Sequence, residues 1–279
     1  MSYSAFQESL QDLTSPGAVT AAVQKWVQMA QQQQPGDDLG DWMWLAWNAV
    51  ISAAENTPVE QQDGLLLLLV ELRKQEVPNR SVGDQKLWKD LPNLGMVARD
   101  AYNFGAFSPD SPEEGAKNDR LVGFLARLTG AVARDIDVET NKAKVSGDFA
   151  LFGLWTLREV FEGIVDEQGR ALGEKEFITA DGELVQGADA QIASHAVNQA
   201  SLWILGAGDY LWKLSKANTE FEQNLGIPGP HFKNRGWRGF NKERWAVWKR
   251  GFEKAQEWVV GEEAKKRVSD VVEKLAKLE

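Results

Sequence analysis

The chain has 279 residues, of which 43% are hydrophobic and 26% are charged, and it contains twelve tryptophans, two histidines and no cysteine. This composition is ordinary for a globular protein and unlike that of disordered or collagen-like chains. The lack of cysteine excludes disulfides, thiolate nucleophiles and cysteine-ligated zinc or iron–sulfur centres.

The formal net charge of −10 disfavours binding to nucleic acid or to an anionic membrane, because both need a cationic surface. The longest strongly apolar run, Leu65 to Val70, is too short to cross a bilayer. The first residues lack the basic start and apolar stretch of a signal peptide. We therefore expect a cytoplasmic protein that binds neither nucleic acid nor membrane.

Apolar residues recur at helical spacing along most of the chain, first over Val19 to Ala30 and then over Leu39 to Ala54. Three helix starts are predicted where a hydroxyl N-cap precedes a proline. They are Ser15-Pro16, Thr57-Pro58 and Ser111-Pro112. Further helices are predicted over roughly 61–76, 94–107, 118–134, 148–165, 189–214 and 241–260, and from about 262 onward.

Two stretches interrupt the helical pattern. The sequence around Ala180-Asp181-Gly182 predicts a small β-hairpin near 177–185. The segment from Gly226 to Pro230 ends a helix and opens a basic loop. The pattern as a whole predicts an all-α fold, a single large domain over 1–279 with roughly nine to eleven helices.

Five segments follow one another in a specific order. They are Leu87–Gly95 continuing to Arg99 and Asn103, Phe124–Leu128, Leu154–Glu159, Trp203–Trp212, and Gly239–Trp245 with Trp248. Together they resemble a fungal family of all-helical, tryptophan-rich proteins that is catalogued only as a domain of unknown function. The resemblance implies a fungal source and an all-α fold, and it implies neither an activity nor catalytic residues.

Two charges are predicted on apolar helix faces. Arg158 follows Leu154 by four residues, and Asp209 follows Leu205 by four. An isolated buried charge is costly, so each needs a partner. Either they form structural ion pairs that fix helix docking, or they form the polar floor of a tryptophan-lined cavity. The second hypothesis gives a ligand-binding set of Arg99, Arg127, Trp155, Arg158, Trp203, Asp209 and Trp212.

Other motifs give weaker indications. Asp37, Asp38 and Asp41 match the DDxxD pattern with which class I terpene cyclases bind magnesium, but acids at a helix start are also favoured by the helix dipole. The second metal-binding motif of those enzymes is absent. His195 has no acid at helical spacing, and His231 lies in the Pro-Gly loop, so neither supports a triad. We expect no metal and no cofactor.

The segment 231–250 is strongly basic: it carries seven lysines and arginines against Glu243, a local charge of +6 that leaves −16 elsewhere. Interleaved basic and aromatic residues are also found in single-strand nucleic-acid platforms, and arginine forks bind phosphate or carboxylate. Arg235, Arg238 and Arg244 are the candidate anion-binding residues. We expect carboxylates of the same chain to engage them, because such partners are plentiful.

These observations favour a binding or scaffold protein for a protein partner or a hydrophobic small molecule. The alternative is an enzyme, an isomerase, cyclase or lyase, acting on an apolar metabolite in an interhelical cavity lined by Trp, Arg and Asp. An enclosed cavity beside Trp155, Trp203 or Trp212 with a convergent carboxylate would favour the enzyme. A filled core with a large exposed apolar patch would favour partner binding.

A titration with single-stranded oligonucleotide at about 0.15 M salt should show no saturable binding, since the chain as a whole repels polyanions. Micromolar affinity that weakens steeply with salt and disappears in an Arg235→Ala/Arg238→Ala/Arg244→Ala variant would contradict this expectation.

Overall fold

A computed structural model describes residues 3–33, 38–104, 111–133, 147–163, 178–186 and 188–278. Within these ranges the chain forms ten α-helices, which confirms the all-α prediction. They are α1 (Tyr3–Ser9), α2 (Pro16–Gln31), α3 (Leu39–Asn56), α4 (Asp63–Leu72), α5 (Leu94–Phe104), α6 (Pro112–Val132), α7 (Ala150–Phe161), α8 (Ala190–Lys216), α9 (Lys242–Trp258) and α10 (Glu262–Leu278). None of these helices combines the length and apolarity needed to cross a membrane.

Two of the three predicted helix starts are confirmed. The Ser15 hydroxyl accepts from the Ala18 N–H at 3.2 Å, and the Ser111 hydroxyl accepts from the Glu114 N–H at 3.2 Å. The prediction for Thr57 is wrong, because Thr57 ends α3 and its hydroxyl donates to the Ala53 carbonyl at 2.7 Å. A hydroxyl bonded to the preceding turn no longer caps the next helix. A 3₁₀ helix, Val59–Gln61, follows instead.

Short antiparallel pairings complete the secondary structure. Strands β1 (Ser81–Val82) and β2 (Gln85–Lys86), which the sequence did not predict, pair around Gly83. In the predicted hairpin, position 177 lies outside the described residues. The remainder turns back through a single bridge between Ile178 and Leu184.

The described helices fall into two compact units, α1–α6 in one and α7–α10 in the other. The interpretation of 1–279 as a single domain stays a prediction. In the first unit the core is a cluster of aromatic side chains with ring centroids 4.8 to 6.1 Å apart. Its members are Phe6, Trp26, Trp42, Trp47 and Trp88.

The segment between β2 and α5 takes an unusual path into this cluster. Trp88 and Asn93 have φ values of +65° and +67°, in the left-handed region that residues other than glycine rarely adopt. The segment is held by the Trp47 indole, which donates to the Pro92 carbonyl at 2.5 Å, and by the Asn93 amide, which donates to the Gly40 carbonyl at 3.0 Å. Complete burial of Trp88 offsets the backbone strain.

The second unit is organised around α8, which packs against α7, α9 and α10. Helix α7 approaches α8 closely at Gly153, where an added Cβ would lie 2.8 Å from the Trp203 ring. Glycine is therefore required for this contact. The fully buried Trp203 fills the space between the two helices.

The spacing of the apolar residues predicts that five tryptophans are largely buried, namely Trp26, Trp47, Trp155, Trp245 and Trp248. Trp26, Trp47, Trp245 and Trp248 are buried. Trp155 is less buried than the other four and is partly exposed. Its indole N–H donates to the Leu225 carbonyl at 2.9 Å, and its ring stacks on Phe152 at 5.5 Å. In the structure, Trp155 lies at the edge of the buried face of α7 rather than at its centre.

Replacing Trp203 with alanine should cost about 3–5 kcal/mol in the free energy of unfolding, because it empties a fully buried site. Trp155→Ala should cost less than about 2 kcal/mol, since only part of that side chain is buried. Urea unfolding of both variants, followed by circular dichroism, measures the difference. Equal losses would contradict the two burial assignments.

Candidate functional site

A fully buried ion pair joins α7 and α9. Arg244 lies in the first turn of α9, and Glu162 is the residue that ends α7. The arginine Nε donates to Glu162 Oε1 at 2.6 Å, and its Nη2 donates to Oε2 at 3.0 Å. This bidentate arrangement is the strongest geometry available to an arginine and a carboxylate.

The remaining hydrogen-bonding positions of both groups are also filled. Arg244 donates to the carbonyls of Gly226, Gly239 and Ile227 at 2.8, 3.1 and 3.0 Å. Glu162 accepts from the Trp248 indole at 2.8 Å and from the Gly229 N–H at 2.9 Å. All five arginine donors and both carboxylate oxygens are therefore engaged.

Aromatic rings enclose the guanidinium. Its Cζ lies 5.7 Å from the Trp237 ring centre and 5.6 Å from that of Trp248, both within cation–π range. Two parts of the loop come close together at Gly226 and Arg238. Glycine is required there, because a Cβ on Gly226 would lie 1.9 Å from the Arg238 carbonyl oxygen. We call Arg244, Glu162 and their partners the clamp, because they fix the loop that precedes α9.

The clamp supports a surface groove of about 430 Å³. One side is the loop leading into α9, and the other is the chain after α8, joined by the bridge between Glu220 and Gly239. The Phe221 N–H donates to the Arg238 carbonyl, and the Phe240 N–H donates to the Thr219 carbonyl, each at 2.9 Å. The lining residues are Asn218, Glu220 and 236–243.

Four charged side chains line the groove: the cations Arg238 and Lys242 and the carboxylates Glu220 and Glu243. Glu243 accepts from the Trp237 indole at 2.9 Å and from Arg235 at 3.4 Å. Arg238 and Lys242 are exposed, and neither pairs with a carboxylate among the described residues. The groove can therefore offer two positive side chains to a ligand, against the single carboxylate of Glu220.

The structure places the predicted ligand-binding residues in two different units. Arg99 is exposed on α5, and Arg127 of α6 donates to the Val59 carbonyl and to Asp63. Trp203 is enclosed in the second unit, and Trp212 packs on Trp245 at 5.2 Å. None of the seven predicted residues lines the groove. Their proposed ligand-binding role stays a prediction.

The expectation that Asp209 is buried is wrong. Its side chain is exposed and pairs with Lys274 of α10 at 3.0 Å. Leu205, four residues earlier, is itself only partly buried. Neighbouring helices cover most sides of α8, and its apolar residues therefore occur on several faces. An apolar residue four positions before Asp209 was for this reason no indication that Asp209 faces the core.

The expectation that Arg158 is buried is confirmed, with 8% exposure. Its Nη2 lies 3.6 Å from Glu159 Oε1, which is an ion pair longer than a hydrogen bond. Burial lowers the pKa of Arg158 and raises the pKa of Glu159, and in each case the opposite charge of the partner opposes the shift. The Arg158 Nε has no hydrogen-bond partner among the described residues.

The three arginines of the basic segment have different roles. Arg244 pairs with Glu162 and Arg235 pairs with Glu243, which confirms for these two arginines the expectation of carboxylate partners in the same chain. Every donor of the Arg244 guanidinium is engaged inside the protein, so the anion that it binds in this structure is the Glu162 carboxylate. The expected carboxylate partner of Arg238 is not found among the described residues.

The remaining motifs have local structural roles where they are described. Asp38 caps α3 by accepting from the N–H groups of Gly40 and Asp41, and Asp37 lies outside the described residues. His231 bonds to the Ile178 carbonyl at 3.1 Å. No group of three or more potential metal ligands occurs in the part of the chain that the structure describes.

Sequence reasoning missed Glu162, although a signal was present. Leu154, Arg158 and Glu162 follow at intervals of four and so lie along one helix row. Extending the row that marked Arg158 by one more turn leads to the carboxylate of the clamp.

A helical protein with an internal clamp beneath a surface groove matches a known family model over residues 47–252. The family is described as protein of unknown function (DUF3632), and the chain belongs to it. The matched range contains Glu162, Arg244 and the whole groove. Comparisons with curated proteins and with solved structures found no match.

Arg244→Ala should cost about 3–5 kcal/mol in the free energy of unfolding, because it leaves a buried carboxylate without its counter-charge. Arg244→Lys should also destabilise, since an ammonium has three donors and no planar fork. Arg235→Ala removes a mostly exposed pair and should cost less than about 1 kcal/mol. Chemical unfolding compares the three, and similar small losses for all would contradict the clamp.

Proposed function

We propose that this protein is a binding protein and that its groove receives an acidic segment of a partner protein. The observation that carries the proposal is the pair of exposed cations, Arg238 and Lys242, on a groove whose backbone the clamp holds in place. A site held rigid before binding loses less conformational entropy when its ligand arrives.

The chemistry of the groove supports binding rather than catalysis. Its lining residues include no histidine, serine, threonine or tyrosine, so its carboxylates have no hydroxyl or imidazole partner with which to form a nucleophile–base pair. Glu243 is held by Arg235 and Trp237, so it is committed to the loop structure. What remains is a set of groups suited to hydrogen bonds and ion pairs with a ligand.

The shape and charge of the groove favour a peptide over a hydrophobic small molecule. Apolar ligands bind in enclosed pockets lined mainly by hydrophobic side chains, whereas this groove is open and six of its ten lining residues are charged or carry an amide. Glu220 adds one negative charge. A segment with spaced acidic side chains complements this pattern better than a uniformly anionic ligand does.

The enzyme alternative has less support. It requires a tryptophan-lined cavity with a convergent carboxylate, and Asp209, the proposed carboxylate, is exposed and paired with Lys274. Trp203 is fully buried, and its ring packs against Gly153 of α7.

Selection of a random peptide library on the whole protein tests the proposal. We expect enriched peptides to carry spaced Asp and Glu, and their synthetic versions to bind more weakly as salt is raised. Arg238→Glu/Lys242→Glu should weaken binding at least about tenfold by reversing both cations. Arg250→Glu is the matched control, since Arg250 is an exposed cation on α9 that does not line the groove.

Two results would overturn the proposal. One is the absence of any enriched peptide, or the enrichment of basic or purely apolar peptides. The other is an equal loss of binding in the double variant and in Arg250→Glu, which would indicate general charge attraction rather than a site.

A further inference from the structure

A second cavity, of about 300 Å³, lies in the first unit among α1, α3 and α5. Its lining combines two aromatic rings, two carboxylates, an amide and a hydroxyl with three apolar side chains. These residues are Tyr3, Trp44, Asn48, Ile51, Ser52, Glu55, Val97, Asp100 and Ala101. The volume is at the lower end of the range for small-molecule sites.

The sequence of α3 places these groups on one stripe. Trp44, Asn48, Ser52 and Glu55 follow at intervals of four, four and three, which is the spacing of one helix face. The stripe borders the buried face that carries Trp47 and its neighbours. From α5, Val97 and Asp100 face the same space at an interval of three.

The two carboxylates are not neutralised by hydrogen bonds inside the protein. Among the described residues, no side chain or backbone N–H donates to the carboxylate of Glu55 or Asp100. Two cations lie near Glu55 without bonding to its carboxylate: Lys117 pairs with Glu113 at 3.3 Å, and Arg120 donates to the backbone carbonyl of Glu55 at 3.2 Å. Burial raises the pKa of the Glu55 carboxyl, and Lys117 opposes this shift.

The aromatic lining identifies the kind of cation that fits. An indole face attracts an ammonium group through the negative potential of its ring. Carboxylates beside aromatic rings are the groups that recognise organic ammonium compounds, whereas a bare metal ion requires a shell of oxygen ligands. No group of three or more potential metal ligands occurs in the described residues.

We propose that this cavity binds a small organic ammonium compound. Glu55 and Asp100 supply the opposite charge, Trp44 and Tyr3 supply the aromatic faces, and the Ser52 hydroxyl supplies a hydrogen-bonding group. The inference is independent of the proposed function, because it concerns the first unit and a ligand of opposite charge.

Isothermal titration calorimetry of the whole protein with butylamine, choline and butanol tests the assignment. We expect saturable binding of at least one of the two ammonium compounds and none of butanol, which has a similar apolar chain without the charge. Glu55→Gln and Asp100→Asn should each weaken the affinity about tenfold or more, since each removes one counter-charge and keeps the side-chain shape. Trp44→Leu should also weaken the affinity of the compound that binds.

Glu60→Gln is the matched control, because Glu60 is an exposed acid of the same unit outside the cavity, and it should leave the affinity unchanged. Glu55→Gln should fold normally, since burial already disfavours the charged form there, and thermal unfolding checks this. The proposal is overturned if neither ammonium compound binds saturably, if butanol binds equally, or if folded Glu55→Gln and Asp100→Asn keep the original affinity.

Discussion

The second unit depends on the bond between Arg244 and Glu162. Two charges withdrawn from water cost more than their attraction returns unless every remaining donor and acceptor is also satisfied. Here the carboxylate takes bonds from Trp248 and Gly229, and the guanidinium gives bonds to three carbonyls of the same loop. An apolar pair of equal size could fill the volume, but it would not hold those three carbonyls in place. The pair thus determines the conformation of the loop more than it adds stability.

The clamp also changes how the charge of the basic segment should be understood. A formal +6 suggests a strongly cationic surface. Arg244 is buried with its counter-ion, and Arg235 is paired with the one acid of the segment. What the groove presents to solvent is therefore the charge of Arg238 and Lys242, offset in part by Glu220. A modest, spaced positive charge suits recognition of a short acidic segment better than binding of a polyanion.

Local features were predictable from the sequence and distant pairings were not. Ser15 and Ser111 cap helices because a hydroxyl and the N–H three residues later are neighbours in any helix start. The partners Glu162 and Arg244 are 82 residues apart, and nothing in the spacing of either segment specifies the other. The predicted burial of Asp209 was wrong for a related reason. Helix α8 is covered on most sides, so the position of α10 and Lys274 determines which residues of α8 remain exposed. The left-handed backbone conformation of Trp88 was also not predictable from the sequence, because the packing of its ring overrides the conformational preference of its backbone.

The arrangement separates the residues that hold the groove from those that would touch a ligand. Every bond of Arg244 is made to Glu162 or to main-chain carbonyls, and none is made to the side chain of Arg238 or Lys242. The surface positions can therefore change their charge without disturbing the internal bonds. The same buried frame is therefore compatible with acidic, basic or neutral side chains at positions 238 and 242. The charge of the groove and the conformation of its backbone are set by different residues, so the first can vary while the second stays constant.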